Sequence, residues 1–322
     1  SQECRFCDEK QQGAVYQNIR CEADTSVFYN IYVPAGTGNK RLPVLILLDA
    51  HGNTAPALKL YTGLADKYGV VLAGFNASEN NVPFENIWKA FKPWIHELFR
   101  KAPVDSTNVF IAGFSGGARV ATLIESRMNG IVATALCGAG PADINSWAGK
   151  SAPVMMFAGT GDFNYIEINS IYTNPEVKRP RTLRIFQGTH GWPPAEAFED
   201  FFVLMKRFSD PDFRADERFF IDRSNIYLHN GRPDIALYSA SSALFAMGDE
   251  NSAALKNFAD SLGKNFPADF SKEMNRCINQ ESILQKRINS MFQNTDTVKY
   301  FALVDSLNNQ ILLDSVSLNA DV

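Results

Sequence analysis

The sequence predicts an α/β chain, with a mostly parallel, doubly wound sheet over residues 25–208 and a small all-helical domain over 209–322. Three observations lead there. From about Thr25 to Thr189, short β-rich runs alternate with segments of helical period, the pattern of a parallel sheet with helices on its faces. Several of the runs are unbroken Val, Ile, Leu and Phe, as suits strands covered on both sides. After Phe208 the β-runs stop, and Ser209-Asp210-Pro211-Asp212 breaks the chain before a tail of helical period. Residues 1–24 stand apart as a cysteine-containing segment.

The strands are predicted at 27–33, 44–49, 70–75, 109–114, 131–136, 154–158 and 183–186. The helices between them are predicted at 58–67, 87–100, 116–128 and 195–208. In the tail, Tyr227, Gly231, Ala236, Leu237, Ala243 and Leu244 stand at a spacing that resembles one tetratricopeptide-like helix pair. Gly231 would permit the sharp turn, and Ala236 and Ala243 a close helix approach. One repeat cannot bury its own apolar face. The pair is therefore expected to pack on the sheet domain, with a peptide or protein contact through the tail as the alternative.

Composition narrows the function classes. A chain of 322 residues that is 45% hydrophobic can bury one sizeable core and a smaller unit beside it. Its 31 basic and 35 acidic side chains give a net charge of -4 without a basic patch, which argues against a nucleic-acid partner. The strongest apolar run, 44–48, is far too short for a membrane span. The chain begins Ser-Gln-Glu-Cys, so the expectation is an exported protein, periplasmic, cell-surface or secreted, whose targeting segment has been removed. Cys4, Cys7 and Cys21 allow at most one local disulfide or remain reduced thiols. As half of a zinc site, Cys4 and Cys7 lack the further ligands.

The most informative segment is Asn108-Val109-Phe110-Ile111-Ala112-Gly113-Phe114-Ser115-Gly116-Gly117. An apolar strand runs into G-x-S-x-G and then into a helical pattern, the context of a nucleophile elbow. Ser115 is the candidate nucleophile, and the Gly116 N–H at the helix start is a candidate oxyanion donor. A serine hydroxyl needs a general base at neutral pH. Of the four histidines, His190 alone follows the last predicted strand in a glycine-flanked loop. Asp162, at the end of the strand run in Gly159-Thr160-Gly161-Asp162, is the candidate acid, with a helix-capping role as its plain alternative. Asp143 and Glu167 are weaker acids, since neither stands directly at a strand end. The second oxyanion donor is expected from the loop Asp49-Ala50-His51-Gly52-Asn53-Thr54, at the Asn53 N–H. There Gly52 lets the backbone approach substrate and His51 braces the loop. His51, Gly52 and Trp192 are the substrate-pocket candidates. No metal and no organic cofactor is expected.

With these residues in view, 25–208 resembles the α/β-hydrolase superfamily, and in particular its esterase branch of polyhydroxybutyrate depolymerase-like and feruloyl esterase-like enzymes. The resemblance rests on Tyr32-Val33-Pro34, His51-Gly52, Ala65-Asp66-Lys67-Tyr68-Gly69-Val70-Val71, Val104-Asp105, Gly113 to Gly117, and Gly188-Thr189-His190-Gly191-Trp192-Pro193. It implies ester hydrolysis through an acyl-enzyme, on short-acyl or polysaccharide-linked esters. Two departures stand out. Asn53-Thr54-Ala55-Pro56-Ala57 replaces a glycine-rich stretch, and the helical tail lies outside the usual pattern. An oligopeptidase-like hydrolase and an inactive hydrolase-fold scaffold are the rival expectations.

Overall fold

A computed structural model describes residues 4–248 and 252–266, so the predicted helical region beyond 266 lies outside the described residues. Eight strands form one sheet in the order β1-β2-β4-β3-β5-β6-β7-β8. They are β1 Val15–Arg20, β2 Phe28–Tyr32, β3 Leu42–Asp49, β4 Val71–Phe75, β5 Val104–Phe114, β6 Ile131–Cys137, β7 Val154–Gly161 and β8 Arg181–Thr189. The six strands from β4 to β8 run parallel, while β2 is antiparallel to both β1 and β4.

The unbroken apolar runs split between two cores because successive side chains point to opposite faces. In β3, Leu45 and Leu47 enter one core with Phe110, Ala112 and Phe157. Val44, Ile46 and Leu48 enter the other with Val109 and Ile111. Helix α3 (Phe84–Lys101) covers the second face with Ile87, Phe91 and Trp94, and α4 (Gly116–Arg127) adds Ala121 and Ile124. The first face is covered by α1 (Ala55–Leu60), α2 (Thr62–Tyr68) and α7 (Ala195–Ser209). Fully buried Phe198 and Phe201 of α7 each contribute roughly 1.5–3 kcal/mol by leaving water.

Three differences from the sequence expectation have local causes. Where one helix is predicted at 58–67, two form, parted at Tyr61, whose buried hydroxyl donates to the Pro193 carbonyl at 2.7 Å. That long-range bond has no trace in local periodicity. Strand β1, inside the segment set apart as 1–24, is an edge strand with little burial and a register shift beside Asn18, at φ 52°. Its polar sequence Val-Tyr-Gln-Asn-Ile-Arg therefore shows no apolar alternation. Two short helices, α5 (Ile144–Ala148) and α6 (Tyr165–Thr173), follow β6 and β7 in stretches too brief for a helical period to register.

Beyond α7, the chain forms α8 (Glu217–His229), a turn at Gly231 with φ 71°, α9 (Pro233–Met247) and α10 (Ala253–Asn265). Ala236, Ala240, Ala243 and Leu255 are fully buried in the same core as β5 and α7. A buried charge cluster ties the layers together. Asp200 of α7 lies 2.8 Å from an Arg223 amino group of α8 and 3.4 Å from Arg184 Nε of β8. Burial pushes the Asp200 carboxyl up, against the pull of the two guanidiniums. Of the five cysteines, Cys4 and Cys7 form a disulfide, and Cys21 and Cys137 are free and buried. Among the described residues, no helix is long and apolar enough to cross a membrane.

Candidate active site

The parallel strands end in register on one side of the sheet, with Asp49 paired to Phe114 and Phe114 to Cys137. In such sheets the crevice beyond these strand ends is where ligands bind. At the end of β5 the chain turns through Ser115, a non-glycine residue held at φ 53°, ψ -122°, and enters α4 at Gly116. Strain of this kind costs on the order of 1–3 kcal/mol and persists only where the surroundings enforce it. The enforcement is close packing. A Cβ on Gly113 would meet the Gly117 carbonyl oxygen at 2.1 Å, and one on Gly117 the Leu48 carbonyl oxygen at 2.4 Å. The Ser115 N–H donates to the Cys137 carbonyl at 2.8 Å, which pins the turn to β6.

The structure brings the three distant residues together. His190 Nε2 lies 3.0 Å from Ser115 Oγ, and His190 Nδ1 lies 2.9 Å from Asp162 Oδ1. An Nδ1–H donated to the carboxylate leaves Nε2 as the acceptor of the serine proton. Asp162 is buried, and its Oδ1 also accepts the Asn164 N–H at 2.8 Å ahead of α6. The turn-capping reading and the imidazole-orienting reading thus describe one side chain. Asn164 in turn donates through Nδ2 to the Gly138 carbonyl at 2.7 Å, fixing this turn to the loop after β6. The His190 ring is held between Phe114, with centroids 4.8 Å apart, and Phe163, at 4.2 Å. Phe163 is 69% exposed, so it offers an apolar surface beside the imidazole.

The other acids are engaged elsewhere. Asp143 accepts the Asn145 and Ser146 N–H groups at the start of α5. Glu167 pairs with Arg119 at 3.0 Å and accepts the Gly140 N–H. Cys137 is no rival nucleophile, since burial, with the Asp162 charge adding, pushes its thiol well up.

The loop after β3 is braced from inside. Buried Thr54 donates through its N–H and its hydroxyl to Asn76 Oδ1, at 3.2 and 2.8 Å. Asn53 is exposed, and its Oδ1 accepts the Ala55 N–H at 3.3 Å as α1 begins. Among the described residues, neither the Asn53 N–H nor the Gly116 N–H has a hydrogen-bond partner. His51 has a side chain 78% exposed, with Nδ1 3.1 Å from Asp49 Oδ1. Gly52 lines an open groove of about 420 Å³, together with Asn76, Glu79, Val82 and Asn86. Trp192 is half-buried against Phe114 and Tyr61, and its Nε1–H donates to Asp49 Oδ2 at 2.8 Å.

Sequence reasoning misses several residues here. Asn80 lies against Gly116, with its Oδ1 1.9 Å from where a Cβ would stand. A polar loop after a strand is its only signal. Asp49 had a better one, as an acid closing an otherwise apolar strand beside His51-Gly52.

Strand order, the antiparallel β2 and the elbow at Ser115 together define the α/β-hydrolase fold. Neither a family model nor a curated protein matches the chain. Among solved structures, it is similar to fungal esterases from Rhizomucor miehei, at 17% identity and TM-score 0.48 over 61% of this chain and 84% of that one. It is similar to esterase B from Lactobacillus rhamnosis, at 15% identity and TM-score 0.49 over 62% of this chain and 87% of that one. A ferulic acid esterase aligns at 17% identity and TM-score 0.47, over 61% of this chain and 98% of that one.

Proposed function

We propose that the chain is a serine hydrolase that cleaves carboxylic esters through an acyl-enzyme. The observation that carries this reading is the unbroken chain from Ser115 Oγ through the His190 imidazole to the buried Asp162 carboxylate, at 3.0 and 2.9 Å, on a strained elbow. In this reading Ser115 attacks the ester carbonyl as His190 Nε2 takes its proton. Asp162 holds the productive tautomer and stabilises the imidazolium without itself becoming protonated. The unpartnered N–H groups of Gly116 and Asn53 are the oxyanion donors, worth about 2.7–4 kcal/mol each where such donors have been removed elsewhere. His190 then returns the proton to the leaving alcohol, and a water activated by the same imidazole releases the acid.

Between β6 and β7 there is only the five-residue helix α5 and its short flanks, so no large lid is inserted there. Together with exposed Phe163, this supports an open site for short-acyl or polysaccharide-linked esters. The Cys4–Cys7 disulfide supports an oxidising compartment as the place of work.

The test is hydrolysis of p-nitrophenyl esters of graded acyl length, beside peptide p-nitroanilides and a fluorophosphonate probe. Ester turnover with labelling of Ser115 is the expected result, and Ser115→Ala should lose about a thousandfold or more in rate. Preference for the anilides would transfer the same machinery to amides. A folded protein that neither labels nor turns over would leave a scaffold.

A further inference from the structure

Asp49 closes β3 with its side chain almost wholly out of water, at 8% exposure. Yet it makes no contact with Ser115 or His190 that would give it a part in proton transfer. Its oxygens are directed at two different loops. Oδ1 accepts the His51 backbone N–H at 2.9 Å and faces His51 Nδ1 at 3.1 Å, holding the loop that contains Gly52 and Asn53. Oδ2 accepts the Trp192 indole N–H at 2.8 Å, holding the loop that contains His190. A third loop joins below. Buried Ser78, after β4, accepts the Asp49 N–H at 3.2 Å and donates to the Asp49 carbonyl at 3.0 Å.

We infer that Asp49 is a positioning residue that clamps the base-bearing loop to the oxyanion loop through Trp192. Resting on the hydrolase reading above, it assigns this buried carboxylate a task outside the proton path. The indole is well placed to transmit it. Trp192 stands two residues after His190 and packs on Phe114, the residue before the nucleophile, at 5.7 Å between ring centroids. On its far side Tyr61 holds Pro193 by the hydroxyl bond to its carbonyl. The loop after β8 is therefore fastened at two adjacent residues, one by charge-assisted hydrogen bonding and one from the apolar core. A buried carboxylate that accepts two N–H groups, with the His51 ring nitrogen beside it, is well satisfied. Without it the indole N–H is left unpaired, and the imidazole and the oxyanion donors can drift relative to one another. A misplacement of about 1 Å in such a site costs on the order of a hundredfold in rate.

The experiment compares Asp49→Ala, Asp49→Asn, Trp192→Phe and the double variant Asp49→Ala/Trp192→Phe. It reads kcat and KM on p-nitrophenyl acetate, the rate of fluorophosphonate labelling, melting temperature, and hydrogen exchange at the Trp192 indole N–H. Asp49→Ala and Trp192→Phe should each lower kcat by about 10- to 100-fold with KM within about threefold. The double variant should be no worse than the worse single, because both remove one interaction. Asp49→Asn, which keeps one acceptor oxygen, should recover part of the loss, and indole exchange should accelerate in Asp49→Ala. The clamp is overturned if a folded Asp49→Ala or Trp192→Phe keeps kcat within about threefold of the parent, or if the two losses multiply. Should Asp49→Ala fail to fold, the near-isosteric Asp49→Asn and Trp192→Phe decide the matter by the same readouts. An unreactive parent would sink the hydrolase reading instead. In that case an indole proton protected in the parent and released in Asp49→Ala still supports the clamp, and one unprotected in the parent or equally protected in Asp49→Ala overturns it.

Discussion

Two buried aspartates, Asp162 at the strand ends and Asp200 beneath the added helices, meet opposite fates. Asp162 is held by a backbone N–H and one side of an imidazole, whose other nitrogen faces Ser115 Oγ. Asp200 is enclosed by Arg184, Arg223 and the Ser242 hydroxyl, all of them buried. In the first case the carboxylate's partner, His190, turns its other ring nitrogen toward Ser115 Oγ. In the second the carboxylate meets guanidiniums that are shared with Glu196, and the cluster joins β8, α7, α8 and α9. Burial and pairing alone therefore do not separate a carboxylate proposed to orient a catalytic base from a structural one. What sets the two apart is what the partner reaches next, a serine hydroxyl at the strand ends in one case and further side chains of the same cluster in the other.

The comparison can be tested by removing each carboxylate in turn. The largest effect on rate belongs to Asp162→Asn, which should lower kcat by about 10⁴-fold while melting shifts little, since the amide still accepts the Asn164 N–H. Steady-state kinetics beside a thermal melt would check both halves. Next in size is Asp200→Ala, which takes from Arg184 and Arg223 their fully buried partner and leaves them the half-exposed Glu196. It should cost about 3–5 kcal/mol of stability, as when one partner of a buried ion pair is removed. Fluorophosphonate labelling per folded molecule should be unchanged, and chemical denaturation followed by tryptophan fluorescence would give the loss. A large fall in labelling with intact folding would show that Asp200 also serves the site and would erase the contrast. The smallest effect is expected for Phe163→Ala. Its ring is mostly exposed but touches His190, so kcat/KM should fall about 3- to 10-fold, the value of one aromatic contact, with an unchanged melting temperature.

Much of the frame was legible because its signals are local. The runs at 44–49 and 109–114 read as doubly covered strands, and β3 and β5 occupy those positions. The turn at Ser115 was readable from the spacing of Gly113 and Gly117 between a strand run and a helical pattern, although the crowding that Gly117 relieves comes from Leu48 of β3. His190 stood out because only four histidines exist and it alone stands in the glycine-flanked loop directly after the last strand. Other features had no local signal. Strand β1 borrows its partner from β2 and buries little of itself. The break at Tyr61 answers to Pro193. The helices α8 and α9 share the sheet's core through Phe220 of α8 and Ala236, Ala240 and Ala243 of α9, and local spacing does not name the sheet residues they meet.

The order of Ser115, Asp162 and His190 along the chain, the glycines that admit the elbow, and the alternation that sends Val44 and Leu45 to opposite faces were set by sequence alone. These depend on covalent geometry and short-range sterics, which each segment satisfies by itself. Only the tertiary structure decided that Asp49 would meet Trp192, that Phe114 and Phe163 would flank the imidazole, and that Asp200 would lie between two arginines. Those pairings join groups that are far apart in the chain. Their distances follow from strand register and loop docking, which no window of neighbouring residues contains.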